Sequence, residues 1–166
     1  MSSSAAEKAF TPTKPGEVEV KTLPASTVIR ASSDAGNYFD RNNSLFMPLF
    51  RYIDERKIAM TTPVEAELEP GEMVFYIGTD IDHDSLESTE NVKVETIEER
   101  QVLSVGIRGA YSKKKFEEAQ EIAVKWLAEN DGYEAVSEPR MIYWDAPYVP
   151  GPLKKSELHI TIAKTE

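Results

Sequence analysis

The stretch from Leu45 to Val64 allows few local structures. In Leu45-Phe46-Met47-Pro48-Leu49-Phe50-Arg51-Tyr52-Ile53, helical spacing puts Leu45, Leu49, Tyr52 and Ile53 on one face, and Phe46 and Phe50 widen it. Pro48 costs a helix interior about 3 kcal/mol. Two readings follow: a helix that begins near Ser44 with Pro48 close to its first turn, or a longer helix from Tyr38 that kinks at the proline. A short charged connection, Asp54-Glu55-Arg56, leads into a strand from Lys57 to Leu68. Within it Ile58, Met60, Thr62 and Val64 alternate with Ala59, Thr61 and Pro63. Pro63 has no N–H for a ladder bond, so it marks an edge, a bulge or a bend. A bent strand after an amphipathic helix makes a concavity, and concavities hold ligands.

The same order of elements occurs twice. Residues 26–79 read strand, helix, strand, strand: Ser26–Ser32, the helix above, Lys57–Leu68, and Glu72–Thr79 after a Pro70-Gly71 turn. Residues 101–164 read the same: Gln101–Gly109, a helix Lys113–Asn130, Arg140–Asp145 and Glu157–Lys164. Ser112 is the second helix's N-cap and Asp131-Gly132 its stop. Phe116, Ala119, Ile122, Ala123, Trp126 and Leu127 form its apolar stripe. Glu17–Leu23 and Val92–Ile97 are further strands. The fold class expected is therefore α+β: two strand-helix-strand-strand repeats in a curved antiparallel sheet or distorted barrel, with both helices on one face. The sheet's other face is then concave and available to a ligand. Residues 1–15, rich in Ser, Ala, Pro and Thr, are read as a flexible tail before one domain, 16–166.

The bulk numbers exclude some functions. The chain has 166 residues and no cysteine, so disulfides, thiolate catalysis and thiolate-bound metals are out. Nineteen basic against 29 acidic residues give a net charge of −10, which repels phosphate backbones and anionic headgroups. The expected partner is a small molecule, with neither nucleic acid nor membrane, and the expected state is a monomer. Met1–Ala9 shows no apolar signal core, so the reading is cytoplasmic, an export signal removed upstream aside.

Three polar features are candidates for chemistry. In the last strand Glu157, His159 and Thr161 alternate with Leu158, Ile160 and Ile162, so a carboxylate and an imidazole share a face near an aromatic strand, a pattern suited to acid/base work or to an exposed edge. His83 between Asp82 and Asp84 lies in an acidic loop whose successive side chains do not converge, so no metal site is assigned. Lys113-Lys114-Lys115 opposes the second helix's dipole. The loop Pro147-Tyr148-Val149-Pro150-Gly151-Pro152 reads as a contact surface or a lid.

The residues Phe46–Ile53 and Lys57-Ile58-Ala59-Met60-Thr61-Thr62-Pro63-Val64 resemble the signature of the SOUL/haem-binding-protein family, and Tyr143–Ile162 resembles its C-terminal hairpin. The likeness runs from Gly16 to Lys164. It implies a fold shared with gyrase-inhibitor-like small-molecule binders and a hydrophobic slot for haem, porphyrin or a similar flat amphipathic molecule, held without cysteine. The slot's counterparts are Phe46, Phe50 and Met60, with Arg51, Lys154 and Lys155 as cations for carboxylates. The family's first-strand histidine position is Thr22 here, a helix arginine position is Asn43, and two positions often methionine are phenylalanine. A common tryptophan position is His159, which becomes the candidate substitute axial ligand. The scaffold's hydrolase relatives imply an alternative, with Glu157 or Glu65 as catalytic carboxylate. A third reading is a partner-binding protein using the Pro-rich loop.

Overall fold

In the computed structural model, residues 7–32, 38–59, 61–67, 72–78, 83–109, 112–145 and 150–165 are described. Contacts gather the chain into two units: residues up to Phe10 with Ala25–Glu98, and Thr11–Pro24 with Glu99–Glu166.

The first unit contains β1 (Glu7–Lys8), β3 (Ser26–Ser32), α1 (Tyr38–Glu55), β4 (Thr61–Thr62), β5 (Val64–Glu67), β6 (Glu72–Tyr76) and β7 (Lys93–Ile97). Its sheet is antiparallel in the order β5-β6-β3-β7, and α1 packs on β3 and β6. The second unit contains β2 (Val18–Leu23), β8 (Arg100–Arg108), α2 (Lys113–Glu129), β9 (Tyr133–Ala135), β10 (Arg140–Tyr143) and β11 (Lys155–Lys164). Its order is β2-β8-β11-β10, again antiparallel, with α2 on β8 and β11. In each unit the first strand of the expected quartet pairs with the last, and the third pairs with the last as a hairpin. The α+β class and the strand-helix-strand-strand order are as read. The short β9, on the end of β11, has no alternation to reveal it.

One open reading is decided and two others change. The first helix is the longer one, Tyr38–Glu55, and takes Pro48 in its interior. The strand expected from Lys57 begins at Thr61. Lys57 has a φ of 56° and ends α1: its N–H bonds Asp54 O (3.2 Å), and that of Ile58 bonds Ile53 O (2.8 Å). This is a Schellman stop, sealed by the buried pair Ile53 and Ile58. Pro63 then divides β4 from β5. Lastly, residues 7–15 are not a free tail. β1 pairs parallel with β4. Phe10 meets Tyr76 edge-on at 5.8 Å, and Thr13 is buried.

That last change bears on the ligand. In the first unit Val28, Val74 and Tyr76 share a sheet face on which Ala9, Phe10 and Ile97 pack. By alternation Ile29, Ala31, Met73 and Phe75 turn to the other face, toward α1. The face expected to stand open is thus covered here by the chain itself.

Lys57 occupies a position where an L side chain is strained by about 1 kcal/mol or more. Lys57→Gly is expected to raise stability by about 1 kcal/mol, read as a higher urea midpoint at unchanged slope.

Candidate functional site

Glu157 sits in β11 with no exposed surface. Its register partners are Gly106 on β8 and Ile142 on β10, while His159 opposes Ser104 and Arg140. Cross-strand partners share a face, so Glu157, His159, Ser104 and Arg140 point one way, with Lys21 and Glu19 from β2. Leu158, Ile160 and Ile162 point the other way and are buried.

Five donors converge on the carboxylate. Oε1 accepts from Lys21 Nζ (2.8 Å), Ser104 Oγ (2.8 Å) and His159 Nε2 (2.7 Å). Oε2 accepts from the Thr13 N–H (2.7 Å) and Trp144 Nε1 (2.6 Å). A carboxylate has about four lone-pair directions, so this one is saturated. Burial pushes the Glu157 carboxyl up, but the bond and charge of His159, then those of Lys21, outweigh it and hold the carboxyl at about 2. Burial likewise takes the His159 imidazole down to about 4, against the pull of Glu157. At neutral pH His159 is therefore a neutral donor, and Lys21–Glu157 is the ion pair.

Alternation along β11 puts Glu157 and His159 on one face, and both are buried there in a hydrogen-bonded cluster. Glu157 has a lowered carboxyl and accepts from five donors. His159, the candidate axial ligand, is wholly buried with Nε2 on Glu157. Thr13, Lys21 and Ser104 were missed, because only strand register and the path of the N-terminal segment bring them here. Glu65, the other candidate carboxylate, lies in the first unit, is buried, and accepts from Tyr76 Oη (2.9 Å). Lys154 and Lys155 belong to the second unit, where Lys155 pairs with Asp145 (3.4 Å). Met60, and the side chains of Phe46 and His83, lie outside the described residues, as do Pro147–Val149. Among the described residues no acidic or histidine cluster could hold a metal, and no helix is long and apolar enough to cross a membrane.

An accessible surface of a different character lies on α1. Met47 and Phe50 are 43% and 42% exposed, and Arg51 is exposed beside them. At about 100° per residue the order around the helix is Phe50, Met47, Arg51, Pro48. The opposite arc, Leu49, Tyr52 and Ile53, is buried. Pro48 also forms part of the wall of a cleft of about 590 Å³, lined besides by Arg30–Ser32 and Ser88–Lys93. Arg30 is committed to Glu72 (2.6 Å) and Glu95 (2.8 Å). An apolar strip, a guanidinium and a polar cleft therefore adjoin on one helix.

The sequence matches the SOUL heme-binding protein family over residues 6–161. The protein belongs to that family, whose members are haem or small-molecule binders. Among solved structures, the C-terminal domain of EcmrR superposes with a TM-score of 0.70 at 15% identity, covering 90% of this chain and 98% of that domain. In the EcmrR–DNA complex this chain spans 58% of the longer EcmrR chain. A hydrolase from Listeria innocua gives 0.60 at 11%, covering 91% and 94%. SAV2435 bound to tetraphenylphosphonium gives 0.56 at 10%, covering 89% and 94%. Such identities speak to the fold alone. No curated protein sequence matches the chain.

Because the folded His159 loses its proton at about 4 and the unfolded one at about 6.5, the unfolded chain binds the extra proton between those values. Stability is complete above pH 6.5 and falls as pH drops toward 4, by about 3 kcal/mol at about 1.4 kcal/mol per pH unit. Glu157 adds a further loss from about 4.5 down through about 2. Urea unfolding at pH 7, 5.5 and 4 should show the first decline, and His159→Asn should flatten it.

Proposed function

We propose that this protein binds haem, a porphyrin or a similarly flat amphipathic molecule non-covalently along the exposed arc of α1. The observation that carries this is the run Phe50, Met47, Arg51, Pro48 beside the cleft of about 590 Å³. Two large apolar side chains on one exposed arc offer a surface for a flat ring, and burying each contributes about 1.5–3 kcal/mol. Arg51, between the strip and the cleft, is placed to pair with a ligand carboxylate. Family membership supports the ligand class, and the cleft is of the size that holds small molecules. The residues fit the ring and its carboxylates better than the iron, since the imidazole of His159 is enclosed and engaged. Residues 16–166 act in this reading as one SOUL-like domain.

Parallel fluorescence titrations with haemin and metal-free protoporphyrin test it. Both should saturate at one ligand per chain, with affinities within about threefold of each other. Phe50→Ser should weaken both about tenfold or more, in line with about 1.4 kcal/mol per tenfold, and Arg51→Ala should weaken both less. Super-stoichiometric binding untouched by Phe50→Ser would overturn the assignment.

A further inference from the structure

The segment Thr11–Glu17 crosses the Glu157 face of the second unit in an unusual way. Pro12 and Pro15 flank Thr13 and have no N–H to give. Only Thr13 is buried; Thr11, Lys14, Gly16 and Glu17 are exposed. Thr13 gives its N–H to Glu157, and its hydroxyl meets Glu19 Oε2 (2.6 Å) and Ser104 Oγ (2.8 Å). Beneath it β8 has a glycine: a Cβ at Gly106 would lie 2.1 Å from Lys14 O and 2.6 Å from Lys14 C. Gly106 also spends its own backbone groups on the segment, donating to Glu17 O (2.9 Å) and accepting from Gly16 N (3.0 Å).

Proton bookkeeping shows how the plug is seated. With both carboxyls ionised, Glu19–Thr13–Ser104–Glu157 is a chain of three oxygen contacts served by two hydroxyl protons. One contact is always without a proton. Glu157 has four donors besides Thr13, so the cluster keeps its ion pair and most of its bonds when Thr13 leaves. Ser104, Glu19 and the position on Oε2 that Thr13 leaves beside Trp144 can then be met by water or by the donors of a ligand.

We infer that Thr11–Glu17 is a detachable strap with Thr13 as its latch, closing a polar site on the Glu157 face that opens without unfolding the sheet beneath. This goes beyond the α1 reading and does not depend on it.

Amide hydrogen exchange followed by NMR on the full-length protein tests the inference. In the wild type the Thr13, Gly16 and Gly106 amides are expected to exchange together, at least tenfold faster than Leu158 inside β11. Gly106→Ala, at a glycine that is not in the left-handed region, places a methyl against the strap's backbone. It should speed Thr13 and Gly16 a further tenfold or more and leave Leu158 within about threefold. Equal protection of Thr13, Gly106 and Leu158 in the wild type would overturn the inference, and so would loss of Leu158 protection in Gly106→Ala. The wild-type comparison stands even if that variant fails to fold.

Discussion

A carboxylate with no solvent organises the second unit. Glu157 is the anion on which Thr13, Lys21, Ser104, Trp144 and His159 meet, and each comes from a different place in the chain. Removing Lys21 from this buried ion pair would leave the charge uncompensated, a change that typically costs about 3–5 kcal/mol. The low carboxyl and the neutral imidazole are two sides of this arrangement. The arrangement holds the charge in place with five donors.

The two units satisfy the same demand with different chemistry. Each lays a helix on one face of an antiparallel sheet, and in each the opposite face is met by the N-terminal segment. In the first unit the contact is apolar, Phe10 on Tyr76 with Ala9 and Ile97 around Val28 and Val74. In the second it is polar, Thr13 over Ser104 and Glu157. The apolar contact is non-directional and tolerates small shifts. The polar one depends on aligned donors and is lost over a short displacement. That difference is why a latch belongs to the second unit.

Among the described residues of the first unit, the outer arc of α1 carries an exposed amphipathic surface. Met47 and Phe50 are partly exposed on that arc, while Leu49, Tyr52 and Ile53 are buried on the other side of the helix. The stretch Met47–Ile58 thus combines buried and exposed positions. Leu49, Tyr52, Ile53 and Ile58 are buried in the core, whereas Phe50 and Arg51 are exposed.

Much was legible from the chain alone wherever the governing forces are local. Apolar spacing places the two helices and most of the strands, Ser112 caps α2 as read, and the family resemblance agrees with the match over residues 6–161. The exceptions lie where a distant partner decides. Lys57 looks like the start of a strand until Ile53 and Ile58 close over the helix end. Glu157 and His159 share a face by alternation, but their enclosure depends on Thr13, separated from Glu157 by 144 positions. Alternation puts side chains on faces but does not say what covers a face. A proline-rich segment with one buried threonine carries no periodic signal, and its place across β8 is set by a missing Cβ at Gly106 and by hydrogen bonds that exist only after the sheet has formed.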